Sequence, residues 1–343
     1  MRIVKLRRTK MAVIKRLYQN QGRTYTACLL ILVLFFSVLS TGCESRPKTD
    51  ERTVVCSIFP IYDWTRILLS GADDISVRLL VDNGADLHSY QASADDIIEI
   101  VACGLLIFVG GESDTWITEA AENHERSSAG TLALLECLGS SALTEEPLPG
   151  MQEESGEGLP GSDDGEESDE HVWLSLKNSC FFVELIRDRL TELYPEYSTL
   201  ISENADSYLE ELTALDEEFR SVLTASRAPL VIADRFPFAY LAKDYGLTCY
   251  AAFSGCSAES EASFETIAFL ADKVDTLGLS AIYVLDGSDG ALAETVLKTA
   301  ESGTGCRVLT LESMQSVTLS QAESGVTYLS LMEKNLEVLR AGQ

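Results

Sequence analysis

Only three histidines occur in the 343 residues, His88, His124 and His171, and two of them stand in loops with carboxylates close by. His88 lies in Asp82-Asn83-Gly84-Ala85-Asp86-Leu87-His88-Ser89-Tyr90. The apolar run Val77-Arg78-Leu79-Leu80-Val81 before it reads as a strand. The stretch Ser93-Ala94-Asp95-Asp96 after it reads as a capped helix start with acids at the positive end of the dipole. His88 is therefore expected at the carboxyl end of a strand, where open α/β sheets place their ligands. His171 lies in Asp169-Glu170-His171-Val172-Trp173-Leu174, just ahead of a helix. A neutral imidazole is a good ligand for zinc, and two on separate loops define a geometry. Together with two carboxylates they would make a nitrogen/oxygen site for a divalent metal ion. His124, in the polar helix end Glu122-Asn123-His124-Glu125-Arg126, reads as surface.

The elements that must position these loops form two similar halves. In the first (53–195), a buried strand over 53–58 leads to a helix from Ile61, with Trp64 and Leu68 at helical spacing. Strands over 77–81 and 105–109 and helices over 95–101 and 116–123 follow. Strands alternating with helices predict a parallel sheet flanked by helices. Residues 139–170 interrupt the pattern: 145–170 hold eleven Asp and Glu and no Lys or Arg, which predicts a mobile surface loop, either a solvated spacer or one able to collect divalent cations weakly. A connecting helix is expected over 196–225, where Leu209, Leu212, Leu215, Phe219 and Leu223 recur at three- and four-residue spacing. Its periodic stretch over 198–223, at 1.5 Å per residue, would span roughly 39 Å, enough to bridge two lobes. A second strand–helix series fills 226–343, with strands over 229–233, 248–253, 281–285 and 307–311. The fold class is thus α/β: two lobes, each a parallel sheet flanked by helices, joined by one long helix, with the site between them.

Residues 1–42 carry eight Lys and Arg and no acid, followed by an apolar run over 27–39. That run is shorter than the roughly 20 residues a membrane-spanning helix needs and suits a signal peptide. It ends in Leu39-Ser40-Thr41-Gly42-Cys43, which resembles a bacterial lipobox with Cys43 as the lipidated residue; an uncleaved anchor is the other reading. Residues 43–52 read as a lipidated tether, so the remainder is expected outside the cytoplasm, held at the membrane. Without the leader, 18 Lys and Arg face 54 Asp and Glu, a net charge of −36. Nucleic acid is not an expected partner for such a field. Seven cysteines remain: Cys56, Cys103, Cys137, Cys180, Cys249, Cys256 and Cys306. The absence of CxxC spacing argues against a cysteine-bound zinc site. Most sit in apolar runs and read as small core residues, with a bridge among Cys249, Cys256 and Cys306 left open.

The two histidine motifs, with a long acidic stretch before the second, resemble those of the zinc/manganese-specific solute-binding lipoproteins of ABC transporters (cluster A-I). Phe59-Pro60-Ile61-Tyr62-Asp63, Phe238-Ala239-Tyr240 and Tyr328-Leu329-Ser330-Leu331-Met332 extend the resemblance over about residues 53–340. It implies a monomeric receptor that binds Zn2+, with Mn2+ as the alternative, and delivers it to an ABC permease in the cytoplasmic membrane. His88 and His171 match the first two ligand positions. The third falls on Arg235, which cannot ligate a cation. Asp234 beside it is the substitute ligand, a structural Asp234–Arg235 pair being the other reading. The fourth falls on Asp286. Asp86 and Asp169 are placed to orient imidazole N–H groups. An enzyme is not expected: no HExxH, Gly-x-Ser-x-Gly or Cys–His arrangement stands out. A surface adhesin on the same fold would bind an extracellular partner without dependence on metal.

Overall fold

The computed structural model describes residues 50–123, 130–152, 168–226, 228–257 and 261–342. The leader over 1–42, Cys43, most of the tether and His124 lie outside them. No helix among the described residues is long and apolar enough to cross a membrane.

Two four-stranded, all-parallel sheets form the two lobes. The first contains β1 (Asp50–Cys56), β2 (Ser76–Leu79), β3 (Cys103–Phe108) and β4 (Thr131–Ala133), in the order β2-β1-β3-β4. The second contains β5 (Leu230–Phe236), β6 (Cys249–Ser254), β7 (Ala281–Leu285) and β8 (Arg307–Leu311), in the order β6-β5-β7-β8. Each order reverses beside its first strand, so each lobe has a crevice outside the carboxyl ends of its strands.

Helix starts follow the local chemistry. In α1 (Phe59–Leu68), Pro60 occupies the first turn, where its missing N–H costs nothing, and Ile61, Trp64 and Leu68 are buried. In α2 (Ala94–Ala102), Ser93 and Asp96 form a reciprocal capping box. Next come α3 (Thr115–Asn123), α4 (Leu134–Leu138) and α5 (Leu176–Leu193), the last capped by Ser175. The long helix α6 (Ser198–Ser226) has 29 residues, about 44 Å of rise. The second lobe carries α7 (Ala239–Tyr245), α8 (Phe264–Leu277), α9 (Ala291–Thr299), α10 (Leu319–Glu323) and α11 (Tyr328–Ala341).

The long helix joins the lobes by packing on both. It lies against α1 and α5 on the first side and against α7 and α11 on the second. One continuous apolar core runs from Val54 through Trp64, Phe182, Leu212 and Phe219 to Tyr328 and Leu339. Smaller clusters cover the outer sheet faces, around Leu106 and Ile117 in one lobe and Ile282 and Val296 in the other.

Three short elements escape the sequence pattern: β4, α4 and α10, each of five residues or fewer, too short to show a period. The flanks of the acidic stretch are tied down. Leu143 N donates to Tyr240 Oη (3.0 Å), Gln152 N to Ala252 O (2.8 Å) and Asp169 N to Leu143 O (2.8 Å). Residues 153–167 lie outside the described residues. None of the seven cysteines named above is in a disulfide, so the bridge left open among Cys249, Cys256 and Cys306 is not formed.

Candidate metal centre

His88 sits in a single 3-10 turn, Leu87–Ser89, in the loop after β2. Asp86 caps that turn, its Oδ1 accepting from His88 N at 3.0 Å. His88 Nδ1 meets Ser113 Oγ at 2.7 Å, in the loop between β3 and α3. His171 is fully buried at the head of the turn Val172–Leu174. Asp169 Oδ1 accepts from both His171 N (2.8 Å) and His171 Nδ1 (3.0 Å). An ionised carboxylate only accepts, so Asp169 selects the tautomer in which His171 Nδ1 carries the proton and Nε2 of the neutral ring carries the lone pair. The second lobe clamps this turn: Tyr240 Oη donates to Asp169 O (3.0 Å), Trp173 Nε1 to Ser313 O (2.9 Å) and Tyr328 Oη to Trp173 O (2.7 Å).

The two Nε2 atoms face each other at 3.2 Å. Two nitrogens bound at about 2.0–2.1 Å to a tetrahedral zinc stand about 3.3–3.4 Å apart, so the pair fits that ion with almost no movement. Cys256 Sγ completes a group of three whose ligand atoms lie within 4.8 Å of one another, and among the described residues no other such group occurs. Burial, with His171 beside it, lowers the His88 imidazole to about 4, the carboxylates of Asp86 and Asp169 only partly opposing. His88 is therefore held in the neutral form, the form able to ligate a metal.

Two cavities meet at this point. One of 740 Å³ is lined by His88, Gly111, Ser113, Glu145, Glu170 and Cys256. The other, of 720 Å³, is lined by Asp86, His88, Asp234, Arg235 and Cys256 among others. His88 and Cys256 line both.

The carboxylates named from sequence have other occupations. Asp234 Oδ1 accepts from Arg235 N (2.9 Å) and its Oδ2 from Leu285 N (3.2 Å), tying β5 to β7. Asp286 Oδ1 accepts from Ser313 N (2.6 Å), which pins the loop after β8. The structure brings neither into the group formed by the histidines. Arg235 Nη2 instead meets Asp86 Oδ2 at 2.6 Å, across the lobes. Burial works against the Asp86 charge, but the Arg235 guanidinium outweighs it and holds the carboxyl below its usual range. The pairing of β5 with β6 shifts register between Ile232 and Arg235, just before the residue that meets Asp86.

Several neighbours carried no signal in sequence. Glu170 is 2% exposed; its Oε1 accepts from Ser113 N (2.8 Å), and its Oε2 lies 3.6 Å from His88 Nδ1 without a hydrogen-bond partner. Gln315 Nε2 lies 3.4 Å from His88 Nε2, and the residue before it, Met314, is a buried non-glycine at φ 64°. That backbone is strained, and such strain concentrates where a side chain must be aimed. Cys256 N donates to Glu145 Oε1 at 2.9 Å. Gly255 before it packs so close that a Cβ there would stand 2.8 Å from His171 Cε1. The absence of CxxC spacing had argued against a cysteine here, but that spacing detects only sites built from several cysteines.

The chain resembles known proteins over nearly all its described length. The zinc-binding lipoprotein AdcA of Streptococcus pneumoniae is 30% identical over 317 residues, which are 91% of this chain and 60% of that protein. The chain thus spans less than two thirds of that relative. The high-affinity zinc uptake system protein ZnuA of Bacillus subtilis is 24% identical over 320 residues, 93% of this chain and 96% of that protein. The crystal structure of the Zn(II)-bound ZnuA-like domain of S. pneumoniae AdcA superposes with a TM-score of 0.65 at 28% identity, covering 85% of this chain and 99% of that domain. The model of the family described as zinc-uptake complex component A, periplasmic, matches residues 54–342, and the chain belongs to that family.

Proposed function

We propose that the protein is an extracytoplasmic receptor that captures Zn2+ between its lobes and delivers it to an ABC-type permease, binding its cargo without chemical change. The observation that carries this reading is the His88–His171 pair: two buried Nε2 atoms 3.2 Å apart, one with its tautomer locked by Asp169. In this reading His88 and His171 bind the ion, while Asp234 and Asp286 brace the loops around it and the Asp86–Arg235 pair latches the lobes. Nitrogen donors suit zinc ahead of manganese, which prefers oxygen. The names of the relatives agree, and the S. pneumoniae AdcA is named a lipoprotein, which supports anchoring through Cys43. The receptor then acts as a monomer at the membrane face.

The test is a competition titration with zinc and manganese on the full chain in detergent, stripped beforehand with a chelator. One tight zinc equivalent is expected, abolished in His88→Ala/His171→Ala. Tight binding that survives the double substitution, or none in the parent, would overturn the reading.

A further inference from the structure

We propose that Cys256 is a zinc ligand, its thiolate completing with His88 and His171 a set of two nitrogens and one sulfur that selects zinc over manganese. The proposal rests on the reading of the two histidines given above.

The second lobe must contribute something if the ion is to be held between lobes. At the position that the family resemblance gives to the third ligand stands Arg235, a permanent cation already paired with Asp86 at 2.6 Å. Asp234 and Asp286 each accept from backbone N–H groups and are outside the ligand group. Cys256 is the donor from that lobe whose ligand atom does lie with both imidazoles, within 4.8 Å. It is a free thiol, two residues beyond the end of β6. Its place is built: Glu145 accepts from its N–H, and Gly255 brings the backbone against the His171 ring where a side chain would collide.

A second observation points independently to a cation here. Glu170 is 2% exposed, lines the same cavity as Cys256 and His88, and leaves Oε2 without a partner. A buried carboxylate oxygen with no donor is costly, and positive charge placed beside it removes the cost. Ser113 Oγ, 2.7 Å from His88 Nδ1, occupies the far side of that ring and leaves Nε2 for the ion, while Glu170 Oε2 stays unpartnered 3.6 Å from Nδ1.

On binding, the Cys256 S–H bond breaks, an S–Zn bond forms and the proton leaves to buffer, as a coordinating thiol is deprotonated outright. A thiolate is a soft donor that favours zinc, whereas Mn2+ is matched by carboxylate, carbonyl and water oxygens. Replacing a carboxylate by this sulfur moves the site away from manganese.

Cobalt(II) reports the donor atoms directly. Added to the metal-free full chain, it is expected to give visible bands of a tetrahedral ion and a near-ultraviolet thiolate-to-cobalt charge-transfer band. Cys256→Ser should retain the visible bands and lose the near-ultraviolet one. Its zinc affinity should fall by about 100-fold, at the upper end of what loss of an outer partner costs, and its zinc-to-manganese ratio should shrink. The parent spectrum alone decides whether a thiolate binds, even if the variant fails to fold. Cobalt bound without that band in the parent, yet lost in His88→Ala/His171→Ala, would overturn the Cys256 assignment and leave the receptor reading standing. Cobalt retained in the double-histidine variant would overturn the reading beneath it.

Discussion

A histidine that binds a metal must keep one nitrogen bare, and here the bare atom of His171 is chosen by Asp169. The same Oδ1 receives the ring Nδ1–H and the backbone N–H of residue 171, so one carboxylate sets tautomer and ring orientation together. Asp169→Ala is therefore expected to lower zinc affinity by about 10–100-fold, the range typical of such partners. Asp169→Asn, which keeps an acceptor oxygen, should recover most of it. Competition titration of both variants checks this; an Asp169→Ala protein with parental affinity would show that the lock is not used. The histidine pair of the candidate site was legible because scarce residues in loops beside carboxylates stand out. Cys256 was not, since one cysteine after an apolar run has the same local pattern as a core residue. Its partners Glu145 and His171 are brought to it only by the fold.

At the scale of elements, chain order and type were readable because long helices and buried strands carry strong periods. The helix Phe264–Leu277 and the strands Ala281–Leu285 and Arg307–Leu311 run over the residues the pattern picks out. What the pattern cannot show is how loops are held. The turn between β3 and α3 is an example. Asp114 is wholly buried; its Oδ2 accepts from Val109 N (2.8 Å) and Gly110 N (3.2 Å), and its Oδ1 has no partner. Burial, with Glu170 nearby, raises its carboxyl from 3.8 to about 7 despite those two donors. A carboxyl raised in the folded state binds its proton more tightly there than in the unfolded chain. Between about pH 4 and 7 the native state then holds more protons, and stability falls as pH rises through that window. Below it the contribution is fully present. Asp114→Asn keeps the acceptor and removes the titration, so urea midpoints at pH 5 and 7 should lie closer together in the variant than in the parent. An unchanged difference would mean that Asp114 is ionised throughout.

For the whole molecule, the question is whether two lobes unfold as two bodies. Each has its own sheet and outer cluster, which favours independence, but the main core does not stop at the boundary. It passes through α6, where Leu212 and Phe219 are fully buried, and on to Tyr328 and Leu339 in α11. Polar ties cross as well. Buried Asp63 of α1 accepts from Tyr328 N at 2.7 Å, capping α11 from the first lobe, and Trp173 Nε1 donates to Ser313 O at 2.9 Å. Separating the lobes would expose that core and exchange the Asp63–Tyr328 N bond for bonds to water, a net loss of about 0.5–1.5 kcal/mol, or up to about 3 for a charged acceptor. Unfolding of the metal-free full chain is therefore expected as one cooperative transition, with tryptophan fluorescence and far-ultraviolet circular dichroism coincident. In the proposed receptor, where residues of both lobes hold the ion, zinc should move that transition as a unit. At free zinc near 1,000 times the dissociation constant the gain is about 4 kcal/mol, or roughly 6 °C for a chain of this size. Two separated transitions, with zinc shifting only one, would show that the shared core does not couple the lobes and that the ion is held by one of them.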